Sequence, residues 1–343
     1  MLGISVYFQD LDETYLKEAA KVGAKYVFTS LHIPEEDYSH LDDVLPHFIE
    51  ICQALGLELC PDVSPVTFEK LQIPNGDFKR LKAMGFKALR LDYGFDDLDT
   101  VKKLSEDFEI MLNASIVDEN YIKKAQAQGI DFKRLILTHN FYPKRFTGLS
   151  KDSFNSKNQI FRQYGLQIQA FVCGDNLKRF PLYEGLPTLE KHRDTPPFIA
   201  ALELMANGVS DIMIGDSQAK IETLQAIQTY MSDKVITLKV HLEPEYKHLY
   251  NQIISCRKDQ SECAIRLATP RLKKVAIQNN GVRRHGAITI DNTLMGRYCG
   301  EMQLLKKDLP TDARVNIIGF IHPDYIEALN YINENTKIKF TEL

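Results

Sequence analysis

The 343-residue chain contains no tryptophan, only six scattered cysteines and no dominant charge of one sign. Each shortage excludes something. A net charge of -4 leaves no electrostatic footprint for nucleic acid. No apolar run approaches a membrane span, and no basic segment leads into an apolar leader, so a cytoplasmic protein is expected. The cysteines (Cys52, Cys60, Cys173, Cys256, Cys263, Cys299) include no close pair of zinc-ligand spacing, and reduced, mostly buried thiols are expected. No helical His-x-x-x-His or clustered His/carboxylate spacing supports a metal, and no cofactor is expected. No Gly-x-Gly-x-x-Gly turn follows the first strand-like run, which disfavours an open dinucleotide-binding sheet.

What is present is a repeat. Through the first two-thirds of the chain, helical stretches end in glycine and a short β-branched run follows. The glycines are Gly23, Gly56, Gly85, Gly129, Gly165 and Gly208, each suited to the left-handed turn past a helix end. The runs fall at 4–7, 26–28, 57–60, 88–91, 109–112, 135–137, 168–172 and 212–214. Eight strands alternating with helices predict an α/β fold, a closed (β/α)8 TIM barrel over residues 1–238. From about residue 235 the pattern changes to short period-two segments, at 235–242, 264–268, 286–292 and 315–320, which predict a small β-rich domain over 239–343.

In such barrels the chemistry gathers at the C-terminal ends of the strands. Those ends carry Tyr7, His32, Asp62, Asp92, Asn113, His139-Asn140-Phe141-Tyr142, Asp175-Asn176 and Asp216, whereas the opposite ends carry helix caps and lysines. Asp62, Asp92, Asp175 and Asp216 would face one mouth, with Glu184 and Glu190 on the loop after the seventh strand. Paired carboxyl groups flanking a bond are the equipment of glycoside hydrolysis; bonding to loop amides is the alternative for any one of them. His139 offers a tunable base or donor beside Asn140, an amide able to read hydroxyl or N-acetyl groups. Arg145, Arg179 and Arg283, set among glycine, proline and aromatic residues, have the planar fork that suits phosphate or carboxylate; Lys144 and Lys178 read as solvated. Tyr7, Tyr93, Phe141, Tyr142, Phe180 and Tyr183 could offer stacking faces to a sugar ring. No motif marks Cys173 as an activated thiol.

Several of these segments together resemble a family. Leu2-Gly3-Ile4-Ser5-Val6-Tyr7, His139-Asn140-Phe141-Tyr142-Pro143, Thr147-Gly148-Leu149-Ser150, Gly185-Leu186-Pro187-Thr188-Leu189-Glu190-Lys191-His192-Arg193 and Ile288-Thr289-Ile290-Asp291-Asn292 resemble the 6-phospho-N-acetylmuramidases, across essentially the whole chain. The resemblance implies a (β/α)8 barrel followed by a cyclophilin-like β domain. It also implies hydrolysis, inside the cell, of N-acetylmuramic acid 6-phosphate linked β-1,4 to N-acetylglucosamine, a product of cell-wall turnover and phosphotransferase uptake. Where the family has Arg after the His-Asn-Phe-Tyr-Pro run, this chain has Lys144-Arg145.

The expected protein is a metal-independent phosphoglycosidase. Asp92 and Asp62 lead as carboxylates, one protonating the leaving oxygen and the other acting on the anomeric carbon or its water, with Glu184 as competitor. Tyr7, His139, Asn140, Tyr142, Asp175, Asn176 and Asp216 are the expected substrate-binding residues, and Arg145, Arg179 and Arg283 the expected anion holders. If the small domain folds over the barrel mouth, Arg283 and Arg284 complete the site. The expected partner is a phosphorylated disaccharide and, at most, a second copy of the chain, with neither nucleic acid nor membrane. Two rivals stand beside this. One is a sugar-phosphate lyase, epimerase or aldolase, disfavoured as an aldolase because no strand-end segment contains a lysine. The other is a non-catalytic sugar-phosphate-binding regulator, which would bind without turnover.

Overall fold

Eight short parallel strands pair in sequence order and close on themselves in the computed structural model of the protein, which describes residues 1–31, 41–259 and 261–343, with side chains in the second helix from residue 44 onward. His32 lies outside the described residues. The strands are β1 Leu2–Ser5, β2 Tyr26–Ser30, β3 Glu58–Val63, β4 Ala88–Leu91, β5 Glu109–Asn113, β6 Leu135–Thr138, β7 Gln167–Val172 and β8 Asp211–Ile214. Closure comes from β1 against β8, with Leu2 opposite Ile212 and Gly3 opposite Met213. The predicted TIM barrel is therefore the fold of the first part of the chain.

Between the strands run α1 Glu13–Val22, α2 Leu41–Leu55, α3 Pro65–Lys70, α4 Phe78–Ala83, α5 Leu98–Ser105, α6 Glu119–Ala127, α7 Lys151–Gln163, α8 Pro197–Ala206 and α9 Ile221–Asp233. Their starts are chemically marked. Asp12, Asp97, Asp118 and Ser150 each accept backbone N–H bonds from the first turn of α1, α5, α6 and α7, satisfying donors that have no partner within the helix. Gly23 ends α1 at φ 109°, a conformation that costs glycine nothing.

Alternate strand residues point into the barrel, where Tyr26, Phe28, Cys60, Ala88, Met111, Ile136, Phe171 and Met213 form one buried cluster. Each large apolar side chain buried this way contributes about 1.5–3 kcal/mol. Gly3 is required by that packing: a Cβ there would lie 2.1 Å from Met213 Sδ and 3.0 Å from Tyr26 Cβ.

Two compact units make up the chain, Met1–Gln228 and Thr229–Leu343. The second contains β9 Val235–Leu242, β10 Ile253–Ser255, β11 Ala264–Arg266, β12 Ala287–Asp291, β13 Met302–Leu305, β14 Val315–Ile321 and β15 Lys337–Glu342. They form one sheet in the order β10-β15-β9-β14-β12-β13-β11, with β15 and β9 parallel and the other pairs antiparallel. The sheet curls until its edges meet. Cys256, just past β10, bridges Leu267, just past β11, and Arg257 N–H donates to Arg266 O at 2.8 Å.

Candidate active site

The register of adjacent strands builds the centre of the barrel mouth. Asp62 on β3 stands directly opposite Arg90 on β4, so both side chains project from the same inner face. Arg90 is 5% exposed, and its Nη1 donates to Asp62 Oδ1 in a buried ion pair. The same Nη1 lies 3.7 Å from Asp92 Oδ1, just past the end of β4. Arg90 Nη2 reaches across to Asn140, after β6, and donates to its Oδ1 at 2.5 Å. One guanidinium thus gathers Asp62, Asp92 and Asn140. The two acids differ in access: the Asp62 side chain is 10% exposed and that of Asp92 31%. Since both Oδ1 atoms neighbour one nitrogen, they stand no more than about 7 Å apart, close enough to flank a single bond.

Beside this network, the buried Tyr7 donates its hydroxyl to Gly215 O at 2.7 Å. The Arg179 guanidinium stacks 4.7 Å over the Tyr7 ring and 5.7 Å from that of Phe180. Phe141 packs edge-on against Phe28 and Phe171, at 5.7 and 5.0 Å, and so closes the top of the barrel core. Tyr142 is half-buried, and burial raises its phenol above the usual range.

The loops after β6 and β7 are bound together by Arg193 and Glu190, the latter one of the acids expected at the mouth. Arg193, 4% exposed, donates from Nε and Nη2 to the two oxygens of Glu190 at 2.7 Å each. It also donates to Gly185 O at 2.9 Å, Tyr142 O at 3.0 Å and Lys144 O at 3.1 Å. Glu190 accepts in addition from the backbone of Phe146 and Gly148, both at 2.8 Å. The Arg193 bonds, with help from those amides, hold its carboxyl down to about 2. Arg145 makes a two-pronged contact with Asp194 at 2.9 and 3.0 Å, and its backbone N–H donates to Glu184 at 3.3 Å.

Other strand-end residues are taken up by the scaffold. His139 follows Thr138 by one residue, so strand alternation turns it outward. Its Nε2 bonds Asn158 at 2.7 Å, its ring lies 4.5 Å from Phe154 on α7, and burial lowers its imidazole to about 4. Asp216 is fully buried and accepts from the backbone of Gly174, Arg179 and Leu186, shaping the loop after β7. Asp175 accepts from Lys220 N–H and Thr223 Oγ1, at the start of α9. Asn176 is exposed and donates to Gln218 at 2.7 Å. Cys173 is buried, which pushes its thiol up to about 12 and removes its nucleophilic form. Arg283 belongs to the second unit, where its Nε donates to Pro310 O at 2.8 Å.

The centre of the network, Arg90, is absent from the sequence-based candidates, although its signal was available. In Ala88-Leu89-Arg90-Leu91 the period of two puts the arginine on the inward face with Ala88. The second unit has a cavity of about 430 Å³ with a mixed lining, in which Leu249, Ile254, Ile290 and Met302 alternate with polar residues such as His248 and Gln252. Its lining residues include no carboxylate, so the paired carboxyl groups that glycoside hydrolysis uses are at the barrel mouth and not in this cavity.

Family models for the N-terminal and C-terminal parts of 6-phospho-N-acetylmuramidase match residues 2–229 and 236–341. No curated protein matches the chain. Among solved structures, a conserved protein of unknown function from Enterococcus faecalis is 31% identical, with a TM-score of 0.86 over 100% of this chain and 96% of that one. An uncharacterized B. cereus protein is 28% identical, with a TM-score of 0.78 over 99% of both chains. With matches to both of its parts, spanning nearly every residue, the chain belongs to the 6-phospho-N-acetylmuramidase family.

Proposed function

We propose that the protein hydrolyses the β-1,4 bond between N-acetylmuramic acid 6-phosphate and N-acetylglucosamine, in the cytoplasm, during recycling of cell-wall fragments. The observation that carries this reading is the pair of acids, Asp62 and Asp92, gathered at the barrel mouth by one buried arginine in a chain of this family. Glycoside hydrolysis needs one carboxyl group to act on the anomeric carbon or its water and another to protonate the leaving oxygen. Asp62 is ion-paired and deeper, which suits the first role. Asp92 is more accessible and further from the guanidinium, which suits the second. Arg90 orients both and fixes Asn140, whose amide is left facing the hydroxyl or N-acetyl groups of the sugar, with Tyr142 beside it. Glu184 lies against Arg145 at the rim and is the less central acid.

The substrate has two anions, a phosphate and a lactyl carboxylate. Arg145 and Arg179 are the arginines that meet them. The contact of Arg145 with Asp194 is no obstacle: the Asp194 side chain is 74% exposed, and such surface pairs are worth about 1 kcal/mol or less. A phosphate dianion can displace it. The unpaired state of all six cysteines fits a cytoplasmic location. The curled sheet of the second unit is read as the cyclophilin-like domain that accompanies the barrel.

The test is incubation with the 6-phosphorylated and the unphosphorylated disaccharide, with products followed by mass spectrometry. Only the phosphorylated form should be cleaved. Asp62→Asn and Asp92→Asn should each lower kcat by about 100-fold or more. Asp92→Asn should leave the thermal midpoint near that of the parent, whereas Asp62→Asn, which strips the buried Arg90 of its ion-pair partner, should also lower it. Turnover that survives either substitution removes that residue from the mechanism. Binding without turnover by the parent protein removes the mechanism itself.

A further inference from the structure

The loops after β6 and β7 hold two aromatic rings out in water, and do so with backbone that aromatic residues rarely adopt. Phe146 is 87% exposed with φ 66°, and Tyr183 is 60% exposed with φ 55°. Of the described non-glycine residues with positive φ, these are the two aromatic ones. Leu182, next to Tyr183, is 49% exposed.

These conformations are imposed by named bonds. The Phe146 N–H donates to Glu190 Oε1 at 2.8 Å, and Glu190 is clamped in turn by the buried Arg193. Arg193 also binds Lys144 O on one side of the ridge and Gly185 O on the other, and the Tyr183 N–H donates to Arg179 O at 3.1 Å. Arg145 and Glu184 touch between the two rings' chain neighbours, so the loops run side by side. A loop with no task would relax the backbone and turn its rings inward. At Phe146 the Glu190 carboxylate, clamped by the buried Arg193, holds the strained backbone, as ligand clamps do, and at Tyr183 the bond to Arg179 O does so.

We propose that Phe146 and Tyr183 form a saccharide platform on the rim: an apolar subsite, carried by the loops after β6 and β7, on which the sugar ring beyond the cleaved bond stacks. This rests on the glycosidase reading above and adds the residues that select for a second ring. The occupant follows from place and chemistry. The ridge is continuous with the loops that carry Tyr142, Arg145 and Arg179, and a pyranose offers an apolar C–H face to a planar ring. With tryptophan absent, tyrosine and phenylalanine are the rings at hand.

The experiment measures kcat and KM for the phosphorylated disaccharide, together with thermal midpoints, for the parent, Phe146→Ala, Tyr183→Ala and Phe146→Gly. Each substitution should raise KM roughly 3- to 10-fold, the value of one stacked ring, with kcat changed less than about two-fold. Phe146→Gly should do so with a midpoint at or above that of the parent, because glycine adopts φ 66° without strain. Parent activity with unchanged KM in both alanine variants overturns the platform and leaves the glycosidase intact. A parent that cleaves neither disaccharide overturns the glycosidase, and the platform with it.

Discussion

Arg193→Met tests whether the rim of the barrel is held by one charged pair. The substitution keeps the aliphatic stem and removes a guanidinium that binds both oxygens of Glu190 and three backbone carbonyls at 2.9–3.1 Å. Summing those bonds would overshoot, because they share one group and the carbonyls can rehydrate. The better measure is the loss of one partner from a buried pair, about 3–5 kcal/mol. Arg193 is 1% exposed in its side chain but Glu190 is 27% exposed, which favours the low end, about 3 kcal/mol. For a unit of this size that corresponds to a midpoint lower by about 6–12 °C. Thermal unfolding followed by near-ultraviolet circular dichroism of the tyrosines is a suitable assay, since the chain has no tryptophan.

The acid side supplies an independent check. The Glu190 carboxyl sits near 2 in the folded protein, below its ordinary value of about 4.3. A depressed carboxyl contributes stability above its unfolded value and loses it as pH falls through the folded one. The parent should therefore lose stability between about pH 4.5 and 2, and Arg193→Met should lose less over that window. Pairing it with Glu190→Gln should give a double variant less destabilised than the sum of the two single ones. A midpoint within about 2 °C of the parent, or strict additivity in the double variant, would sink the idea that this pair holds the rim.

If Asp194 competes with phosphate for Arg145, Asp194→Ala should lower KM for the phosphorylated disaccharide by up to about 5-fold, and Arg145→Ala should raise it. Steady-state kinetics on both variants decide, and a rise for Asp194→Ala would refute the competition. In the second unit, burial and the nearby carboxylates of Glu301 and Asp312 raise Asp291 to about 6. A raised carboxyl favours the folded state when protonated and loses that advantage as pH climbs from about 4 through 6. Asp291→Asn should therefore stabilise this unit by roughly 2 kcal/mol at pH 7–8 and flatten its midpoint across pH 4–6. An unchanged pH profile would contradict that environment.

The barrel was legible in the chain because its signals are local. Helix stops such as Gly23 and Gly85 precede each buried run by a few residues, and the structure gives both positive φ, 109° and 99°. The second unit was legible in part. The period-two segments later seen as β9, β11, β12 and β14 announced themselves, whereas the three residues of β10 and the four of β13 are too short to carry a period. β15, Lys-Ile-Lys-Phe-Thr-Glu, alternates plainly and could have been found.

At the mouth, the sequence determined which residue types stand at the strand ends and, through alternation, which of them face inward. That is a local property of a pleated strand, and it marks Asp62 and Arg90 as surely as it turns His139 away. Only the tertiary structure decided what each polar group meets. Asp216 and Asp175 have the same chemistry as Asp62 and Asp92, yet they bind loop amides and the start of α9. The partners come from strands and loops tens of residues apart, such as Arg90 and Asn140. A carboxylate takes its role from the groups that barrel closure brings within hydrogen-bond reach, and closure is a property of all eight strands together.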